Sequence, residues 1–90
     1  MTQQLTIPLV RVAIDEADDI LLKALAARFR AIRHLKKMKS DAGLQVENPA
    51  RELELKDRWK KKAIELDVPP ELTLLILDFI LAESKRLQSS

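Results

Sequence analysis

Five polar side chains stand where apolar helix stripes predict burial. The first stripe runs through Val10, Ile14, Ala17, Leu21, Ala24, Ala31, Leu35 and Met38 in helical steps, and Arg28 falls in its one gap. Lys39 lies eleven residues beyond Arg28, about 20° around a helix and ~16 Å along it, so the two cations share a face. Glu52 precedes Leu55 by three on a second stripe of Leu55, Trp59, Ala63 and Leu66. Ser84 and Gln88 continue a third, Leu74, Leu77 and Leu81. Buried charge is costly unless paired. Two cations, a carboxylate, a hydroxyl and an amide on one interior space would make a polar pocket in a helical core. Each residue also has a plain structural reading. Arg28 could extend its charge to water along its apolar stem. Lys39 and Glu52 stand at a helix end and a helix start, where the helix dipole favours them. Ser84 and Gln88 could belong to a fraying terminus.

The remaining composition removes most other chemistry. There is no Cys, and His34 is the single histidine, which nearly excludes a His-based metal site or a catalytic triad within one chain. One glycine, Gly43, cannot build a phosphate-cradling loop. Phe29, Trp59 and Phe79 are too few aromatics to stack single-stranded nucleic acid. Sixteen basic and fourteen acidic residues are interspersed, so the net charge of +2 names no polyanionic partner. The Lys60-Lys61-Lys62 run reads as a solvated helix face, and His34 as a surface or packing residue. No cofactor is expected. Strictly apolar runs are as short as Leu74–Leu77, far below the roughly 20 residues of a membrane span. Met1–Leu9 has no basic start followed by an apolar stretch, so no signal peptide is read there. A cytoplasmic, reducing setting fits these features.

The elements that must position these residues follow from the breakers. Ser40–Gly43 is read as a loop, Asn48-Pro49 as an N-cap with a first-turn proline, and Val68-Pro69-Pro70 as the end of one element and the start of the next. Helices are therefore expected over about 9–39, 49–66 and 70–88, with no strand, in one domain of residues 1–90. The third is apolar nearly all round and is expected to be buried on more than one side. Helix one would be roughly 46 Å long and the others roughly 27–29 Å, so two short helices cannot cover the long stripe. An intertwined homodimer resolves the mismatch. A bend near Arg28–His34 into a monomeric four-helix bundle is the alternative, and no Gly or Pro there supports it.

The order of these motifs resembles a known family. Arg11-x-x-Ile14-Asp15-x-x-Asp18-x-Ile20-Leu21-Leu22, then Leu25-Ala26-x-Arg28 and Lys36-Lys37-x-Lys39, is similar to the first helix of the all-α chorismate mutases. Asn48-Pro49-x-Arg51-Glu52 resembles the start of their second helix, and Ile80-x-x-x-Ser84-x-x-x-Gln88 the end of their third. The resemblance spans essentially the whole chain. It implies a domain-swapped dimer with two sites that rearrange chorismate to prephenate. By that resemblance Arg28 binds one substrate carboxylate, with Ser84 assisting, and Arg11 of the partner chain binds the other. Lys39 and Gln88 donate to the ether oxygen, Glu52 accepts from the ring hydroxyl, and Arg51 lines the pocket. Leu35, Leu55 and Leu81 match its apolar walls. Arg11 and Arg28 are roughly 25 Å apart on one helix, a span no chorismate-sized molecule bridges in cis, in agreement with the dimer. Two positions depart from the pattern. Asn48 stands where Asp is frequent, and serves as a substrate acceptor or only as the helix N-cap. Lys85 replaces a small apolar wall residue, and either adds a cation near the pocket or points to solvent. An isochorismate-pyruvate lyase of the same fold is the neighbouring reading, although Leu81, Ser84 and Lys85 lack its aromatic pattern. A non-catalytic dimerisation module is the reading from another class.

Overall fold

The computed structural model describes residues 4–44 and 48–89. Three helices follow one another: α1 (Ile7–Ala42), α2 (Pro49–Glu65) and α3 (Pro70–Ser89). No strand occurs among the described residues. The chain divides into two units, Met1–Ala31 and Ile32–Ser90, with the division inside α1.

Local chemistry accounts for each helix end. Thr6 caps α1, its Oγ1 accepting from Leu9 N–H at 3.3 Å, and Pro8 sits harmlessly in the first turn. At the far end α1 runs through Ser40, Asp41 and Ala42, which the sequence reading places in a loop. Gly43 stops it instead, at φ +70°. Gly43 N–H donates to Ser40 O at 3.2 Å and Leu44 N–H to Lys39 O at 2.8 Å, which is the paired closure of a Schellman motif. The loop residues therefore stay helical up to the one residue without a Cβ penalty. The end of α2 closes in the same way around Asp67, at φ 59°, with Asp67 N–H on Ile64 O and Val68 N–H on Ala63 O.

The α2–α3 hairpin holds the core. Leu55 and Ala63 of α2 are buried, as are Leu77 and Ile80 of α3. Leu66, expected on the α2 stripe, is exposed, because it forms the C-cap beyond the packed turns. α3 is covered on one face only: Leu72, Leu75, Ile76 and Phe79 remain exposed. A single chain provides α3 with α2 as its packing neighbour, and one neighbour covers one face. No described residue of α1 is buried. Its half-buried residues are Leu25, Arg28, Phe29, Ile32, Lys36 and Lys39, a face centred about 110° around the helix from the Ala24–Ala31–Met38 line read from the sequence, whose residues are exposed.

Candidate active site

The start of α2 and the end of α3 meet at one level of the hairpin. Glu52 stands fourteen residues before the α2 C-cap Leu66, and Lys85 fifteen after Pro70, so an antiparallel pair places them side by side. Lys85 Nζ lies 2.8 Å from Glu52 Oε1, the side chains 41% and 27% exposed. Glu52 is thus half-buried rather than fully buried, and its cation comes from α3. The sequence leaves the direction of Lys85 open. Its signal is the register about the 66–69 turn.

On α3 the polar continuation of the apolar stripe is buried as its spacing predicts, with Ser84 3% and Gln88 9% exposed. Ser84 Oγ donates to Ile80 O at 2.8 Å, so its proton is turned back along its own helix and must rotate to reach a ligand. Gln88 Oε1 is buried and has no hydrogen-bond partner among the described residues. An unmet carbonyl oxygen in such a place costs about 1–3 kcal/mol unless a ligand or water satisfies it.

Asn48 caps α2: its Oδ1 accepts from Arg51 N–H at 3.1 Å, with Pro49 at the first helical position. Of the two roles open to Asn48, the cap is the one its oxygen performs here. Arg51 is exposed and pairs with Glu54 one turn on. Arg28 and Lys39 are both on the half-buried face of α1, and each has interactions of its own. Arg11 is exposed in the same unit as Arg28, and the ~25 Å between them along the helix keeps them apart within one chain. On either side of Ser84 and Lys85, Arg86 holds the Glu83 carboxyl below its ordinary range, chiefly by hydrogen bonding and also by its charge. Lys61 and Lys62 of the basic run pair with Asp57 and Glu65 on their own helix. No group of three or more His, Cys, Asp or Glu side chains that could hold a metal ion gathers among the described residues. No described helix is long and apolar enough to cross a membrane.

The α2–α3 hairpin thus holds a partly buried Lys85–Glu52 ion pair and, on the same stretch of α3, the buried Ser84 and Gln88. Residues 10–89 match the chorismate mutase type II family. A chorismate mutase of Methanocaldococcus jannaschii is 29% identical over 79 residues, covering 88% of this chain and 80% of that relative. No solved structure matches the chain. The chain belongs to the chorismate mutase type II family. Its activity is that of an isomerase, a chorismate mutase.

Proposed function

We propose that the chain converts chorismate to prephenate by holding the substrate in its compact conformer and stabilising charge on its ether oxygen. The rearrangement is unimolecular and pericyclic, and requires neither a nucleophile nor a proton transfer. Orientation supplies part of the acceleration. The rest comes from donors aimed at negative charge that grows as the C–O bond lengthens ahead of C–C closure. Lys39 and Gln88 are those donors, Arg28 and the partner chain's Arg11 bind the two carboxylates, and Glu52 accepts from the ring hydroxyl. Ser84 turns its hydroxyl toward the carboxylate beside Arg28, and Arg51 lines the pocket. Donors of this kind are worth about 3–4 kcal/mol each. Two would supply much of the roughly 8 kcal/mol behind a ~10⁶-fold acceleration.

The observation that carries this reading is the buried amide of Gln88, whose Oε1 no described residue satisfies. An amide presents a donor and an acceptor end that a half-turn about χ3 exchanges, so either can meet a polar ligand. The partner chain is inferred from α1, where Val10, Ile14 and Leu21 are 44%, 54% and 56% exposed on one apolar stripe. A second copy, domain-swapped so that the long helices cover each other, removes that stripe from water and delivers Arg11 to the other site. One domain over residues 1–90 in a cytoplasmic setting completes the reading.

The test is chorismate depletion followed by ultraviolet absorbance, with the product identified. Prephenate is expected; pyruvate release would indicate the lyase instead. Gln88→Glu should act only toward acid pH, because a carboxylate donates only when protonated and burial raises its pKa. Near pH 8 it should lose about 10²-fold in kcat/KM relative to wild type. Equal activity of the two proteins at that pH would remove Gln88 from the donor role.

A further inference from the structure

We propose that Lys85 is a positioning residue, which holds the Glu52 carboxylate in place for the substrate hydroxyl. This role rests on the reading of Glu52 as the hydroxyl acceptor. Four ion pairs among the described residues, Arg51–Glu54, Lys61–Asp57, Lys62–Glu65 and Arg86–Glu83, close within about one turn of a single helix. Lys85–Glu52 instead joins two helices, at 2.8 Å, with both side chains partly withdrawn from water. Its anchor points are well placed. Lys85 follows the buried Ser84 directly and precedes the buried Gln88 by three residues, on one rigid helix. Glu52 sits in the first turn of α2, three residues before the buried Leu55.

A glutamate has three rotatable bonds, and its carboxylate wanders unless something holds it. An ammonium on Oε1 restricts that motion without exhausting the group, since an ionised carboxylate has about four lone-pair positions. The pair therefore ties the acceptor on α2 to the helix that carries Gln88. Two contacts to one small ligand, the ring hydroxyl and the ether oxygen, are spaced by this tie. Preorganised spacing of that kind lowers the barrier because no contact must be found at the moment of reaction. A lysine in place of an apolar wall residue then works through Glu52, at the α2–α3 seam, and not as a further cation on the substrate.

Two rival roles make different kinetics. A direct charge contact to the dianion would raise KM whether or not Glu52 is charged. A purely structural tie would lower thermal stability and leave turnover per folded dimer unchanged. The experiment is a double-mutant cycle on the full chain with chorismate, using Lys85→Met, Glu52→Gln and the double variant, with Lys85→Arg as the conservative replacement. Folding is checked by circular dichroism, and Lys85→Gln replaces Lys85→Met if the latter does not fold. Lys85→Met is expected to lower kcat/KM about fivefold, chiefly in kcat, at the upper end of what partly exposed ion pairs supply. In the Glu52→Gln background the same change should cost less than about 1.5-fold, and Lys85→Arg should return activity to within about twofold of wild type. Wild-type kinetics in Lys85→Met, or an equal fivefold loss in the Glu52→Gln background, overturns the positioning role of Lys85 alone. Full activity in Glu52→Gln overturns the acceptor role of Glu52 itself, a separate failure visible in a separate variant.

Discussion

Leu21 on α1 and Leu77 on α3 both stand on apolar stripes of helical spacing, yet Leu21 is 56% exposed and Leu77 is 0% exposed. The stripe is equally plain in both helices; the difference lies in the neighbour. α3 is joined to α2 by a short turn closed around Asp67, so bringing the two helices together costs little loop entropy. Leu55, Ala63, Leu77 and Ile80 then cover one another. On α1 every residue from 7 to 24 is exposed, and a single helix supplies no second surface against which to bury its own stripe. The polar residues divide in the same way. Ser84 and Gln88 are buried within the hairpin, whereas Arg11 is carried on the uncovered stretch of α1.

The largest effect is expected where the uncovered helix is asked to serve a second copy. Arg11→Ala and Arg28→Ala should each lose about 10³-fold in kcat/KM, as removal of a strong charged contact in a closed site does. After subunit exchange, mixed dimers of the two variants should regain one intact site and up to half of wild-type activity per heterodimer. Confirmed exchange with no recovery breaks the cross-chain assignment. Next comes the core. Leu77→Ala should lower stability by about 3 kcal/mol, read as a shifted denaturant midpoint. Leu21→Ala sharpens the contrast, because its cost should depend on protein concentration if a second copy covers it. Concentration-independent unfolding of Leu21→Ala would place the covering surface elsewhere. The smallest effect belongs to Asn48→Ala, about 1 kcal/mol for a lost helix cap. Its kcat/KM should change little, because Oδ1 serves Arg51 N–H. A large kinetic loss with unchanged stability would restore Asn48 as a substrate contact.

Much of this was legible along the chain because its signals are local. Proline lacks an N–H and has a fixed φ, so Pro49 and Pro70 marked the starts of α2 and α3. Asn48 before Pro49 announced its own cap, and steps of three and four placed Ser84 and Gln88 on the face that holds Leu77. Helix ends were less legible where a run of tolerant residues precedes the breaker. Ser40–Ala42 read as a loop by composition, but nothing in them forbids helix, and the chain continued until Gly43 entered the left-handed region. A periodic stripe states that a face is apolar; what covers it depends on residues distant in sequence. So α3 read as apolar nearly all round and buried on more than one side, and its own chain covers one face. Lys85 is the clearest case. Its position on α3 followed from helical spacing, but whether its ammonium met solvent or Glu52 was decided by the register of α3 against α2, which the Asp67 turn and the packing of Leu55, Ala63, Leu77 and Ile80 set together.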